Sequence, residues 1–131
     1  MKKNCVILIV LLGFFIPRGY GENFPLYMLY INKSENSIVH GEYRLAQKYY
    51  DSAFTFWHKP FAIDVYNNMV CANVNEDYKV VKSMAVQLIS LGCELSFFSK
   101  PQYLIEFRKS TEWLSLINEY LRVVQSEDNG Y

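Results

Sequence analysis

The sequence contains few of the residues from which catalytic and metal sites are built. Only two histidines occur, His40 and His58, and they are expected at opposite ends of one helix, about 25 Å apart at about 1.5 Å per residue. No Cys/His spacing indicates a metal ligand set. Gly-rich phosphate loops and serine-centred elbows are also absent. Asp51 and Asp64 stand alone and are expected to be solvated. We therefore predict no catalytic residue, no metal and no cofactor.

The sequence also lacks the alternation of apolar and polar residues that a half-buried β-strand requires. Apolar residues recur instead at intervals of three and four, which is the spacing of one face of a helix. A chain of 131 residues allows one domain. These features predict an all-α protein.

The longest apolar run lies near the N-terminus. Lys2 and Lys3 precede residues 6–16, which are apolar except for Gly13, and Pro17-Arg18 is followed by two small residues two apart, Gly19 and Gly21. Eleven residues span only about 16 Å as a helix, roughly half of a bilayer core. This order predicts a signal peptide at residues 1–21 and an exported protein, periplasmic or secreted. A retained membrane anchor and a buried N-terminal helix are the alternatives.

Basic residues are not clustered in the rest of the chain. Cleavage after Gly21 would remove Lys2, Lys3 and Arg18, leaving ten basic and thirteen acidic residues and a net charge of −3. Without a basic surface, nucleic acid is not an expected partner. Stable membrane insertion after cleavage is not expected either.

Two of the three cysteines, Cys71 and Cys93, lie in the predicted mature chain. Export makes a disulfide conceivable. The predicted helices, however, place their Cα atoms well outside the separation of about 4.4–6.8 Å that a disulfide requires. We expect two unpaired and mostly buried thiols.

One stretch, residues 41–54, organises the predicted fold. Gly41-Glu42-Tyr43 is a turn before a helix, and the small Ala46 and Ala53 allow another helix to approach closely. A near-copy begins thirty-five residues later at Glu76-Asp77-Tyr78. Self-similarity at this period indicates stacked helical hairpins.

The predicted helices cover residues 24–39, 43–57, 60–74, 77–91, 99–109 and 110–125. The short helix at 99 starts from a predicted capping box between Ser99 and Gln102, and residues 126–131 are expected to form a flexible polar tail. Residues expected to face inward are Leu26, Leu29, Tyr30, Ile38, Phe61, Val65, Met69, Ala72, Leu95, Phe97, Phe98, Tyr103, Leu104, Phe107, Trp113, Leu116, Ile117, Tyr120, Leu121 and Val124.

Residues 26–92 resemble the tetratricopeptide repeat, a helix–turn–helix unit of about thirty-four residues. Gly41-Glu42-Tyr43 stands where that family has its Gly-Asp-Tyr turn, and the small and aromatic positions are matched at Ala46, Tyr50 and Ala53. The second unit is matched at Tyr66-Asn67, Asp77-Tyr78 and Ala85, and departs from the pattern at Met69, Val81 and Leu88.

The order of a signal peptide, two repeats with Ala62-Ile63-Asp64-Val65-Tyr66-Asn67, a short segment ending in Glu112-Trp113-Leu114 and a final helix is similar to that of small exported repeat proteins of Bacteroidetes-type bacteria. The resemblance implies a right-handed stack of three helical hairpins over residues 22–125, namely two tetratricopeptide-like units and a divergent capping hairpin.

The resemblance also implies a concave groove, formed by the first helix of each hairpin, that binds peptides. Tyr66 would be an aromatic anchor, and the amides of Asn67 and Asn73 can bond an extended backbone. The alternative is that Tyr66 packs on the neighbouring hairpin. Relatives that grip a C-terminal carboxylate need cations where Ile31 and Glu35 stand, which disfavours that ligand. The expected groove residues are Ile31, Glu35, Ile38, Tyr66, Asn67, Val70 and Asn73.

The function expected from these features is an exported, non-catalytic interaction module that binds an unidentified peptide or protein. The alternative is a structural or assembly subunit whose groove is closed by its own C-terminal helix, with the Trp113 helix as a cap. Phe54, Phe56 and Trp57 are expected in the core, and an exposed partner-binding patch is their alternative.

Overall fold

The computed structural model describes residues 23–128, and this part of the chain is helical without any β-strand. The all-α prediction is confirmed. The predicted signal peptide lies outside the described residues. The helices are α1 (Phe24–Val39), α2 (Tyr43–Phe56), α3 (Ala62–Val74), α4 (Tyr78–Ser90), α5 (Ser96–Ser99), the 3-10 helix η1 (Gln102–Leu104), α6 (Ile105–Arg108) and α7 (Thr111–Asp128).

Consecutive helices pack in pairs, α1 with α2 and α3 with α4, and α2 joins the pairs by packing on α3. Ala46 and Ala53 are fully buried in α2, which is the close approach that their small size predicts. Three side chains linked by two hydrogen bonds join the two pairs of helices. Asn75 donates to Gln47 at 2.8 Å, and Gln47 donates to Asp77 at 2.8 Å.

The turns after α1, α3 and α4 share one hydrogen-bond pattern. In each, a residue with positive φ follows the helix, and the next amide donates back to the carbonyl five residues earlier, as in a Schellman motif. The positive φ belongs to Gly41 (73°), Glu76 (58°) and Gly92 (102°). The bonds run from Glu42 to Ser37 at 2.9 Å, from Asp77 to Ala72 at 2.8 Å and from Cys93 to Leu88 at 3.0 Å.

The inward face of α1 differs from the prediction. Leu26 and Leu29 are 40% and 47% exposed, whereas Tyr27, Ile31, Ser34 and Ser37 are buried. Two small serines on this face can be buried because each hydroxyl donates to a carbonyl of its own helix, at 2.9 and 3.0 Å. The prediction placed leucines inward on hydropathy alone, whereas the observed face combines an aromatic, an aliphatic and two internally satisfied serines.

Helix α3 begins at Ala62, two residues after the predicted start. Phe61, which was expected in the core, is the extended N-cap residue and is 46% exposed. Val65, Met69 and Ala72 are fully buried, as predicted.

The segment between α4 and α7 corrects several predictions. No capping box forms, because Ser99 ends the one-turn helix α5 and the N-cap of η1 is Pro101, without a side-chain bond. Phe97 and Tyr103 are exposed, contrary to expectation, and only part of the segment reaches the core. The buried side chains of this part are Phe98, Leu104 and Phe107.

Helix α7 begins as predicted and ends later. Ser110 caps it by accepting a hydrogen bond from the Trp113 amide at 3.4 Å, and the Trp113 ring packs edge-on against Phe107. The helix continues to Asp128, so residues 126–128 are not a tail. Leu121 and Val124, which were expected to face inward, are exposed because α7 packs on the body only through its first half.

Candidate functional site

The expected groove lies along α1 and α3, and its most strongly predicted residue, Tyr66, is engaged within the chain. The Tyr66 hydroxyl is hydrogen-bonded to that of Tyr103 at 3.0 Å. Its ring packs against Phe97, with centroids 5.7 Å apart and planes at 66°. Burial and the bond to Tyr66 raise the pKa of Tyr103, so the Tyr103 hydroxyl stays protonated at neutral pH.

The sequence predicts that the Asn73 side-chain amide bonds the backbone of a bound peptide. In the structure it bonds the backbone of Tyr103, the residue that also contacts Tyr66. The Asn73 amide donates to the Tyr103 carbonyl oxygen at 2.9 Å. An amide that binds a backbone carbonyl and an aromatic that binds a neighbouring ring are the two contacts expected for a bound peptide. Residues 96–104, which we call the filling segment, therefore contact the Tyr66–Asn73 part of the predicted groove.

Two buried side chains and two hydrogen bonds from Arg108 fix the filling segment on the core. Phe98 and Leu104 are fully buried in the core shared with α3 and α4. Arg108 donates from Nη1 to the Phe98 carbonyl at 3.1 Å and to the Pro101 carbonyl at 2.6 Å. These contacts fix the backbone on both sides of Lys100.

The other predicted groove residues have different surroundings. Ile31 is 3% exposed and belongs to the core between α1, α2 and α3, so its assignment to a binding surface is wrong. It packs inward because it lies one turn after the buried Tyr27. Glu35 is exposed, and Asn67 and Val70 are half-buried. These three residues are the part of the predicted site that the filling segment does not engage through a hydrogen bond.

A buried hydroxyl lies beneath this open part. Tyr50 is fully buried, and its Oη atom has no hydrogen-bond partner within the described residues. The Asn67 side chain lies beside it without reaching hydrogen-bonding geometry, although it acts to lower the pKa of Tyr50. Burial outweighs that influence and raises the pKa. An unpaired buried hydroxyl costs free energy.

The sequence did not reveal the hydrogen bonds at the other end of α1. Tyr27 donates to the carboxylate of Asp64 in the first turn of α3 and accepts a bond from the Phe61 amide at 3.1 Å. Asp64 is buried, not solvated as predicted. Desolvation raises its pKa, against the opposing influence of the Tyr27 bond. The available signal in the sequence was Tyr27 itself, a residue with a polar hydroxyl one turn before Ile31 on the same helix face.

The residues considered for chemistry are dispersed. His40 Nδ1 lies 2.7 Å from the Asn36 carbonyl of its own helix, and His58 is exposed. Cys71 and Cys93 carry free thiols, and burial raises the pKa of Cys71 to about 11. Across residues 23–128, no three His, Cys, Asp or Glu side chains gather as metal ligands.

Within the same residues, no helix is both long and apolar enough to cross a membrane. Comparison of the chain with models of protein families, with curated proteins and with solved structures gave no match.

Proposed function

We propose that this chain is an exported, non-catalytic interaction module built from tetratricopeptide-like hairpins. Support comes from the pairing of α1 with α2 and of α3 with α4, and from the equivalent turns at Gly41 and Glu76, thirty-five residues apart. In this proposal η1, α6 and α7 form the divergent capping hairpin. The proposal also includes a right-handed stack of the three hairpins and cleavage of the chain after Gly21.

The observation that carries the binding proposal is the pair of contacts at Tyr103. Tyr66 and Asn73 bind a ring and a backbone carbonyl of the filling segment, which is how a groove of this kind would bind a peptide. The surface is therefore chemically suited to a backbone carbonyl next to an aromatic ring. We propose that a peptide or protein partner binds the adjoining open part, at Glu35, Asn67 and Val70.

A structural or assembly role is the second candidate. Here the filling segment closes the groove permanently, and its buried anchors Phe98 and Leu104 favour this role. The sequence analysis expected the C-terminal helix to close the groove. In this candidate residues 96–104 close it, and α7 does not.

The two candidates differ in what the open part does. A photo-crosslinking amino acid at Glu35 should capture one partner in the native compartment, and the same group at the exposed Glu42 should not. Glu35→Lys should weaken capture through a crosslinker at Val70 at least tenfold, because a reversed charge is introduced beside the binding surface. Glu42→Lys is the matched control. Equal capture in all variants, or none, would favour the structural role.

A further inference from the structure

A second surface lies at the opposite end of the chain, between the end of α4 and the second half of α7. Ile89 from α4 and Leu116, Val123 and Val124 from α7 line an open groove of about 500 Å³, which we call the α4/α7 groove. The two helices pack closely near Leu116 and leave the groove open beyond it.

The apolar residues of α7 change from buried to exposed along the helix. Leu116 is 1% exposed, whereas Val123 and Val124 are 54% and 37% exposed. From Leu116 to Glu127 the helix spans about 16 Å, or about three turns. Within the described residues nothing covers this stripe, so α7 presents an apolar face of the length that a short helix would bury.

The rim of the α4/α7 groove is acidic. Glu94 stands at the α4 side and Glu127 at the α7 side, and neither forms an ion pair within the described residues. Glu119, the third rim carboxylate, is 3.2 Å from Lys82. Arg122 lines a different depression of α7, with Ser115 and Asn118. The Glu94 carboxylate accepts a bond from the Ser96 hydroxyl at 3.3 Å, so the rim carries two carboxylates without an ion-pair partner among the described residues.

We infer that the α4/α7 groove binds a basic amphipathic helix of a partner protein. An apolar stripe two to three turns long would pack between the two helices, as ridges pack into grooves. Lysine or arginine stems beside that stripe would cover the valines and bring their charged ends to Glu94 and Glu127. This surface is separate from the groove along α1 and α3, so the inference stands even if that groove binds nothing.

The test uses three synthetic fourteen-residue peptides titrated into the full-length chain. The first has leucines at helical spacing with lysines on both flanks, the second is its scramble, and the third has glutamates in place of the lysines. Fluorescence anisotropy should show binding of the first peptide at least tenfold tighter than of the other two. Its binding should weaken as salt is raised, because the rim contacts are exposed ion pairs.

Matched variants locate the binding site. Val124→Lys should abolish binding of the lysine peptide, and Leu114→Lys, at an exposed apolar position of α7 outside the groove, should leave it unchanged. Glu94→Lys with Glu127→Lys should reverse the preference, so that the glutamate peptide binds better. All of these positions are exposed, and circular dichroism confirms the fold of each variant.

The inference would be overturned by equal binding of the scrambled peptide, or by a preference that ignores the charge reversal. A dimer in light scattering that Val124→Lys dissociates would assign the groove to a second copy of the chain. Binding to neutral lipid vesicles, lost in Val124→Lys, would assign it to a lipid surface. Either result replaces the helical partner.

Discussion

The hydroxyl of Tyr27 donates to the carboxylate of Asp64, and this buried bond joins the first helix to the start of the third. The same hydroxyl accepts from the Phe61 amide, so it fixes both the side chain and the backbone where α3 begins. A buried carboxylate is costly unless it is paired or protonated.

Asp64→Asn is expected to change how stability depends on pH. Desolvation raises the pKa of Asp64, so between its unfolded value, about 3.9, and its folded value the native chain holds the extra proton. The free energy of unfolding therefore falls as pH rises through this window, and the loss persists at neutral pH. Asparagine keeps an acceptor for Tyr27 without a charge. Urea unfolding from pH 3 to 8 should show a smaller fall in the variant.

The companion change, Tyr27→Phe, tests the bond from its other side. It leaves the carboxylate and the Phe61 amide without their partner, which costs about 1–3 kcal/mol. Equal stability of Tyr27→Phe and wild type at pH 7, or a pH profile of Asp64→Asn identical to wild type, would contradict the assigned role.

Glu76→Gly is expected to stabilise the chain by about 0.5–1 kcal/mol. Glu76 has a φ of 58°, and a left-handed conformation costs a residue with a Cβ atom about 1–2 kcal/mol, part of which is offset by the greater unfolded entropy of glycine. Thermal and urea unfolding give the difference.

Gly41→Ala is the reciprocal control in the equivalent turn after α1. Nothing lies within 4 Å of a Cβ atom built at Gly41, whose φ is 73°, so alanine meets only the backbone penalty and should destabilise by about 1 kcal/mol. If both substitutions are neutral, the shared turn geometry contributes nothing to stability.

Ala53→Leu is expected to destabilise by about 1–3 kcal/mol, because Ala53 is fully buried in the α1–α2–α3 core and added methylene groups in a packed core force side chains and backbone to shift. Ala62→Leu, at an exposed position in the first turn of α3, should change stability by less than about 0.5 kcal/mol. Similar effects at the two positions would mean that the small residue does not govern helix approach.

Arg108→Lys is expected to loosen the filling segment. The carbonyls of Phe98 and Pro101 both accept from the Nη1 atom, which lies one bond further from the backbone than a lysine Nζ, so the ammonium falls short of them. Amide hydrogen exchange should accelerate at residues 96–104 more than elsewhere, with a global loss of about 1–3 kcal/mol. Lys109→Ala, which removes only an exposed ion pair with Glu106, should leave that exchange unchanged. Uniform acceleration would indicate that Arg108 stabilises the whole domain and not this segment.

The sequence revealed those parts of the fold that repeat at helical spacing. The boundaries of α2 and α4 agree with the prediction to within one residue at each end, because glycine, aspartate and small core residues act locally. The prediction of the buried face of α1 was wrong because it used hydropathy, which ranks serine as a surface residue. The two serines of this face can be buried because their hydroxyls donate to carbonyls of their own helix. The Tyr27–Asp64 bond joins residues thirty-seven apart, and a single sequence carries no record of that contact.

The groove shows a different limit of sequence reasoning. Tyr66 and Asn73 were selected as an aromatic ring and an amide that could bind backbone, and within the chain they contact a ring and a backbone carbonyl. What the sequence could not show is that residues 96–104 return to them, since this depends on where Phe98 and Leu104 find space in the core.

The order of synthesis gives the filling segment one more consequence. Residues 24–90 leave the ribosome before Phe98, Leu104 and Arg108 do. For that interval a nascent chain has Tyr66 and Asn73 without their contacts to residues 96–104, and a chaperone that meets it then encounters two side chains that the finished protein engages internally.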